Sequence, residues 1–270
     1  MSLYDNNDYT YLNEQDKKVW EELKEKEVLD KNGKRRAFGR VSRYREYPKS
    51  VRHYLSLFPN NFIDAVELEK EESLLNIINK FNDLIDSKNT NERDILNFIN
   101  DGLNIHMIAS LVSQYNFGHH SLYVFPEFQL GLSYRADYLI VGKSSGGYEF
   151  IFVELESCNG RITLQDGKFG ESIRKGISQV QEWKVWLEEN YHSLYEIYNK
   201  HKKNQDNLPV EFMKYDSTRI HYAVVAGRRT DFNDVTYRQK RSIKNENNIN
   251  LIHYDNLIDL SKNLIGKNTY

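Results

Sequence analysis

The chain has 270 residues, a formal net charge of −2 at pH 7, 39% hydrophobic residues and 28% charged residues. These proportions exclude a disordered polyelectrolyte and predict a globular chain with a sizeable core. A near-neutral net charge is not the footprint of a general nucleic-acid-binding protein. The sequence has no apolar run of membrane-spanning length, and its first fifteen residues lack the pattern of a signal peptide. We therefore expect no membrane partner and a cytoplasmic location.

The single cysteine, Cys158, excludes an internal disulfide framework and is typical of a reducing compartment. It lies two residues after Glu156, which invites an interpretation as a nucleophile. Its sequence neighbours give that interpretation no support, so we interpret Cys158 as an ordinary structural residue.

Residues 1–88 are predicted to form a mainly helical N-terminal region, with helices over 13–29 and 63–86. Between these helices, the stretch Lys31–Arg52 carries nine basic residues, one acid and interleaved tyrosines, and forms either a short hairpin or a loop. The residues we expect to bind nucleic acid here are Arg35, Arg36, Arg40 and Arg43. The alternative is a solvated basic face. The region as a whole is predicted to be a sensor, a clamp or an oligomerisation surface.

Residues 89–270 are predicted to form a second domain, in which strands alternate with helices. Asn91 is the predicted N-cap of its first helix, with Asp94 three residues later and Glu92 at the start of the inward-facing stripe. Strands are predicted over 123–130, 137–141, 150–153, 219–226 and 250–254. Helices are predicted over 106–115, 172–189, 234–245 and 255–264, with a polar, partly helical insertion over 191–208. This alternation favours an α/β fold around a mixed sheet.

Three carboxylates lie at the ends of two strands that form a predicted hairpin. Strand-forming residues occupy 137–141 and 150–153, and a glycine- and serine-rich turn separates them. Glu154 and Glu156 are two residues apart and so share one face of the second strand, while Asp137 opens the first. Charges gather at the ends of buried strands only when something pairs them, and a divalent cation with oxygen ligands is the obvious candidate.

The order of several short motifs carries a further signal. The motifs are Asn91-Glu92-Arg93-Asp94-Ile95, Pro126-Glu127-Phe128, Arg135-Ala136-Asp137-Tyr138, Val153-Glu154-Leu155-Glu156, Ile177-Ser178-Gln179-Val180-Gln181-Glu182-Trp183, Val225-Ala226-Gly227-Arg228 and His253-Tyr254-Asp255-Asn256-Leu257. In this order they resemble the PD-(D/E)xK nuclease core and, more narrowly, the C-terminal nuclease-like domain of Shedu anti-phage defence proteins. The resemblance covers roughly residues 90 to 265.

The resemblance implies a restriction-endonuclease-like (PD-(D/E)xK) mixed sheet flanked by helices, with Mg2+ or Mn2+ held by Asp137 and Glu154. It also implies a carboxylate near the metal from Glu92, on the first helix, and a hydrogen bond to phosphate or water from Gln179. The general motif ends in lysine where this chain has Glu156, as some restriction enzymes and some Shedu-like sequences also do. Glu156 would then ligate the metal or accept a proton from the attacking water.

Because position 156 is glutamate, a lysine for the site would have to come from elsewhere in the chain. The nearest lysines in sequence are Lys168 and Lys175. Both are also predicted to contact nucleic acid. A second basic cluster near residue 228 adds two further predicted contacts, Arg228 and Arg229.

Three functions follow from these observations. The first is a metal-dependent DNA endonuclease in bacterial anti-phage defence, with DNA as substrate and a homo-oligomeric assembly. The second is a module that binds DNA ends or DNA structures through a degenerate nuclease fold. The third makes the carboxylates structural ion-pair partners of Arg135, Arg161 or Arg174.

Overall fold

A mixed five-stranded sheet organises the part of the chain that this computed structural model describes, residues 1–164, 166–203 and 205–270. The strands are β1 (Ser121–Leu130), β2 (Tyr134–Ser144), β3 (Gly147–Leu155), β4 (Ile220–Val225) and β5 (Ile249–Ile252), and they lie side by side in chain order. The first three are antiparallel, whereas β4 and β5 run parallel to β3. The predicted α/β architecture with a mixed sheet is confirmed.

Helices cover both faces of the sheet. Their bounds are α1 (Glu14–Lys26), α2 (Lys49–Tyr54), α3 (Glu71–Asp86), α4 (Glu92–Ile99), α5 (His106–Ala109), α6 (Glu171–Asn190), α7 (Leu194–His201), α8 (Asp234–Asn247) and α9 (Tyr254–Leu264). Trp183 of α6 and Tyr198 of α7 pack on one face of the sheet, against Phe150 and Phe152. Helices α3, α4, α5 and α9 contribute to the core on the other face. Strand β3 is therefore buried on both faces, which explains its nearly continuous apolar sequence.

The hairpin predicted around the carboxylates is confirmed, with longer strands than the sequence suggested. Strands β2 and β3 pair from Tyr138 with Val153 to Ser144 with Gly147, so only Ser145 and Gly146 form the turn. Helix α6 spans nearly the predicted residues. The predicted capping box of α4 is present, because the Asn91 side chain accepts from the backbone N–H of Asp94 and the Asp94 carboxylate accepts from the backbone N–H of Asn91.

Two predictions in the N-terminal region differ from the structure. The predicted long helix over 63–86 is wrong at its start, because a 3₁₀ turn over Ala65–Glu69 precedes α3 and Lys70 leaves helical geometry between them. Asp64 starts that turn by capping the backbone N–H of Val66, which favours a short turn over a continuous helix. Helix α2 was not predicted at all.

The stretch 191–208, predicted as a polar insertion, instead contributes to the core. Tyr191, Leu194 and Tyr198 are buried against the sheet, and α7 forms within this stretch. The described polar residues of this stretch are exposed or half-buried, which hides the buried stripe in the sequence.

The N-terminal region packs directly against the edge of the sheet. The backbone N–H of Ile63 donates to the carbonyl of Leu122 on β1 at 2.8 Å, and the ring of Phe58 lies edge-on to Tyr123 at 5.2 Å. The division of the chain into two domains, residues 1–88 and 89–270, stays a prediction.

Candidate active site

The end of the β2–β3 hairpin brings Asp137 and Glu154 together. Tyr138 pairs with Val153, so the next position along the antiparallel register sets Asp137 opposite Glu154. The Asp137 carboxylate also accepts a hydrogen bond from the backbone N–H of Leu155 at 2.7 Å, which fixes its direction. Glu154 is 3% exposed, and its Oε2 is buried with no hydrogen-bond partner among the described residues. The pair forms an acidic site at the edge of the core.

The backbone of Glu156 is held from two sides. Its N–H donates to the carbonyl of Val225 on β4 at 2.8 Å, and its carbonyl accepts from the hydroxyl of Tyr254 at 2.7 Å. Gly176 of α6 lies directly above, because a Cβ at that position would stand 3.0 Å from Cγ of Glu156 and 2.8 Å from Cγ1 of Val224. Glycine therefore allows α6 to approach the end of β3 closely.

This close approach positions Lys175, the residue before that glycine, over the acidic site. Its Nζ lies 3.2 Å from Oε1 and 3.3 Å from Oε2 of Glu156, and 4.0 Å from Oε2 of Glu92. The Lys175 side chain is 59% exposed and Glu156 is 4% exposed. A partly solvated ammonium thus caps a buried carboxylate. Position 156 is glutamate in the sequence, and the lysine beside it comes from helix α6.

The carboxyl groups of this site have raised pKa values. Burial raises the pKa of Glu154 most, and the charges of Asp137 and Glu156 raise it further. Burial also raises the pKa of Asp137, against the opposing hydrogen bond from Leu155. The pKa of Glu156 is raised by burial, although Lys175 counteracts this. Such a cluster retains a proton at neutral pH or attracts a cation in its place.

The pKa of Lys175 is also raised. Partial burial lowers it, but the hydrogen bond and charge of Glu156, with the charges of Glu92 and Glu154, outweigh that effect. Lys175 is therefore protonated at neutral pH and presents a positive charge beside the carboxylates.

Glu92 and Gln179 both lie near this lysine. Glu92 is the first residue of α4, and its charge acts on Asp137 and Glu154. Gln179 follows Lys175 by one helical turn, so both side chains line the same open cavity of about 520 Å3. The other residues that line this cavity are Ser133, Tyr134, Arg135, Ser178 and Glu182.

Strand β1 adds a charged group beside the site that the sequence left undefined. Glu127 lies between Pro126 and Phe128, which pair with Tyr138 and Ala136 of β2, and it adopts a left-handed backbone conformation with φ of 49°. This conformation is uncommon for a residue other than glycine. The Glu127 carboxylate lies 3.1 Å from Arg135 and 3.8 Å from Arg93, so it holds two guanidinium groups next to the cavity.

The donor atoms of the site suit a hard divalent cation only in part. Asp137 and Glu154 supply two carboxylates, and the unpartnered Oε2 of Glu154 is a free ligand atom. Within residues 1–164, 166–203 and 205–270, however, no three Asp, Glu, His or Cys side chains are arranged to hold a metal ion. The pair fits a cation that retains several water ligands, as Mg2+ does.

The proposed structural ion pairs with arginine are not observed. Arg135 pairs with Glu127, and in the described part of the chain neither Arg161 nor Arg174 forms an ion pair with the carboxylates of the site. Among the residues that the structure describes, Glu156 forms an ion pair with Lys175 alone. The interpretation of the carboxylates as ion-pair partners of Arg135, Arg161 or Arg174 is therefore wrong in the partners it named.

The basic stretch Lys31–Arg52 divides into two groups. The basic residues of its second half form ion pairs with acidic residues of the same chain: Arg43 with Glu46, Arg45 with Glu69, Lys49 with Asp5 and Arg52 with the buried Asp64. Arg35, Arg36 and Arg40 form no ion pair among the described residues and are exposed. Of the four predicted nucleic-acid contacts in this stretch, Arg43 is thus already bound to a carboxylate.

The predicted contacts near residue 228 require the same correction. The Arg228 guanidinium binds Asp86 at 2.5 Å and Asp255 at 2.9 Å, and also donates to the carbonyl of Ile85. It joins α3 to α9 and has a structural role. Arg229 pairs with Asp259. Lys168 is 73% exposed and, within the described ranges, pairs with Asp166 alone, at 3.0 Å.

Among the described residues, no single helix is long and apolar enough to span a membrane. One pair of helical segments, Glu92–Ile99 and Gly102–Gln114, has the required length and composition only when the two are taken together, and a bend of 111° separates them.

The fold and this site define an α/β domain with a buried and a half-buried carboxylate at the ends of its central strands and a lysine on the helix above them. The model of the family described as Shedu protein SduA, C-terminal, matches residues 89–258. The match covers more than half of the chain, so the chain belongs to the Shedu family, which confirms the family predicted from the ordered motifs. Membership implies an anti-phage defence context. No curated protein sequence matches the chain.

Replacing Glu154 with glutamine should stabilise the metal-free protein, and more at pH 8 than at pH 6. The raised pKa of Glu154 means that the folded state binds a proton that the unfolded state has already released at neutral pH. Folding stability therefore falls as pH rises, on the order of 1 kcal/mol for each pH unit. Glutamine removes this cost, and the gain should appear as a melting temperature several degrees higher in EDTA.

The matched control is Glu189→Gln, an exposed position on the same helix as Lys175. It should leave the melting temperature nearly unchanged at both pH values. A destabilised Glu154→Gln variant, or a shift independent of pH, would contradict the electrostatic account of the site.

Proposed function

We propose that the chain is a metal-dependent DNA endonuclease of PD-(D/E)xK type that acts in anti-phage defence. The observation that carries this proposal is the approach of Lys175 to Glu156 beside Asp137 and Glu154. These groups restore, from a different element, the combination of two carboxylates and a lysine that the general motif contains. Family membership supplies the biological context, and the cavity beside Lys175 supplies room for a phosphodiester.

In this proposal, Asp137 and Glu154 hold Mg2+ or Mn2+. The ion, when bound, supplies a Lewis acid that polarises the scissile phosphate. Both carboxylates must lose their protons to bind it, and their raised pKa values make that loss part of the binding reaction. Glu92 adds negative charge near the pair and is 38% exposed, so it contributes electrostatically from the rim.

Lys175 and Glu156 act on the water and the phosphate. The ammonium of Lys175 orients the attacking water and offsets the negative charge that develops on the phosphate oxygens. Glu156, whose pKa is raised by burial, accepts the proton as the water oxygen attacks phosphorus and the bond to the leaving oxygen breaks. Gln179 donates a hydrogen bond to a phosphate oxygen from the same side of α6.

Glu156→Gln should abolish DNA cleavage and leave DNA binding intact or tighter. Glutamine cannot accept the proton, and its neutral side chain removes repulsion toward phosphate. We expect a loss of about 100-fold or more in cleavage rate. The assay incubates wild type and variant with supercoiled plasmid and with linear DNA in Mg2+, Mn2+ or EDTA, beside a binding assay in EDTA.

The exposed substitution Glu189→Gln serves as the matched control and should cut at the wild-type rate. Metal-dependent cleavage by Glu156→Gln at the wild-type rate would remove the role assigned to this residue. Absence of cleavage by wild type with every metal and substrate would contradict the proposed activity.

A divalent cation should bind through Asp137 and Glu154. In Asp137→Asn the acceptor for the Leu155 N–H is retained while the charge is removed, so the variant isolates ligation from local folding. Calorimetric titration with Mn2+ should give one site in wild type and an affinity at least about tenfold weaker in the variant. The heat measured in buffers of different ionisation enthalpy should reveal proton release. Equal affinity in both proteins would rule out this ligand assignment.

A second function remains, a DNA-binding module with a degenerate site. One observation favours it: no third Asp, Glu, His or Cys joins the carboxylate pair in a metal-holding group within the described ranges. Such a module would bind DNA in EDTA, cut with no metal, and bind more tightly when any of the three carboxylates is neutralised. The cleavage and binding assays together separate the two functions.

A further inference from the structure

The segment after α1 forms an ordered projection, residues 28–42, which we call the basic arm. Its backbone closes on itself through Asp30 N–H to the Lys34 carbonyl at 2.7 Å and Arg36 N–H to the Val28 carbonyl at 2.8 Å. Every residue from 30 to 42 is exposed. The arm thus keeps a defined shape although it buries almost nothing against the rest of the chain.

The base of the arm is fastened by Glu27. Its carboxylate accepts from the Tyr47 hydroxyl at 2.5 Å and from the Arg43 N–H at 3.0 Å, while its carbonyl accepts from the Val41 N–H at 2.9 Å. The two ends of the arm are therefore anchored at its base, and the exposed residues between them extend into solvent.

The charge of the arm is positive and is not neutralised by ion pairs with the residues that the structure describes. Its basic residues are Lys31, Lys34, Arg35, Arg36 and Arg40. In the described part of the structure none of them takes part in an ion pair, in contrast to the paired residues that follow at Arg43, Arg45 and Arg52. The carboxylate of Asp30 is occupied by the backbone N–H groups of Asn32 and Lys34. A polyanion is the partner that this surface fits.

Phe38 stands on the arm with 91% of its surface exposed. It is the one exposed phenylalanine of the described residues, since the others are buried or half-buried. Gly39 follows it with φ of 75°, and a Cβ there would meet no atom within 4 Å. The turn that carries Phe38 is therefore open to solvent at Gly39.

A large apolar ring among unpaired cations fits duplex DNA better than a membrane surface. Proteins that grip a DNA groove with basic side chains often insert one apolar wedge between base steps, which unstacks and kinks the duplex. Interfacial membrane binding relies on a continuous apolar face, and the arm offers a single ring beside the smaller Val41.

We propose that the basic arm grips duplex DNA along its phosphates and that Phe38 enters between two base pairs as a wedge. This inference rests on the proposed function only for the nature of the substrate. In this proposal the arm both binds and deforms DNA, and it takes no part in hydrolysis. Binding is measured in EDTA, so a failure of this inference and a failure of the nuclease proposal are distinguishable.

The test compares the affinity for a 30-base-pair duplex with that for the same duplex carrying one central mismatch. An unpaired step costs less to open, so wild type should prefer the mismatched duplex by about three- to tenfold. Because the two duplexes have identical ends, any binding to the ends cancels in the ratio of the two affinities. In Phe38→Ala the preference should vanish, and Phe38→Leu, which keeps an apolar wedge, should retain it. Val41→Ala, an exposed apolar position on the same arm, is the matched control and should behave as wild type.

The charges are tested separately by the triple substitution of Arg35, Arg36 and Arg40 with glutamine. The salt dependence of DNA binding should become shallower, by about 0.9 in its logarithmic slope for each lost phosphate contact. Phe38→Ala should leave that slope unchanged, because the ring contacts no phosphate.

Four results would overturn the proposal. The first is an equal mismatch preference in wild type and Phe38→Ala. The second is an unchanged salt slope in the triple variant. The third is binding to vesicles of phosphatidylcholine and phosphatidylserine that Phe38→Ala abolishes, together with no effect of that substitution on DNA. An RNA duplex bound with the same Phe38 dependence and higher affinity would also refute the assignment to DNA.

Discussion

The contact between Gly176 and the end of β3 is the constraint on which the site depends. Without a side chain at this position, α6 lies close enough to β3 and β4 for Lys175 to reach Glu156 at 3.2 Å. Any larger residue would push the helix outward, because the nearest atoms belong to Val224 and to Glu156 itself. A packing detail of the core thus determines the electrostatics of the surface above it, and it sets Gln179 along the same cavity one turn later.

The site stores electrostatic repulsion that the fold tolerates. Asp137 and Glu154 face each other across the hairpin, partly desolvated, and one oxygen of Glu154 has no hydrogen-bond partner among the described residues. Lys175 balances Glu156 but is itself more than half exposed, so it cannot neutralise the whole cluster. Repulsion of this kind reduces stability in the absence of a ligand and becomes favourable when a cation or a proton enters. Functional sites commonly carry such a cost.

The sequence predicted those parts of the molecule that depend on local patterns. The β2–β3 hairpin, the capping box at Asn91 and the long helix α6 follow from residue spacing and turn chemistry, and the structure confirms them. The proximity of Lys175 to Glu156 could not be derived from spacing, since it depends on how a helix crosses a sheet. One signal was present: an isolated glycine within a helical pattern, at 176, often marks a close approach. The pairing of Arg228 with Asp86 and Asp255 equally depends on tertiary contacts, whereas Arg43 pairs with Glu46 three residues further along the chain.

The most direct test of the central claim, that Lys175 supplies the missing lysine to a nuclease site, exchanges the two members of the pair. Plasmid cleavage in Mg2+ is compared among wild type, Lys175→Gln, Glu156→Lys and the double exchange Glu156→Lys with Lys175→Glu. The account predicts that wild type cuts, that Lys175→Gln loses about 100-fold or more in rate, and that the double exchange cuts faster than either single variant, because it keeps the ion pair and restores the general motif. Cleavage by Lys175→Gln at the wild-type rate, with its melting temperature unchanged, would contradict the account.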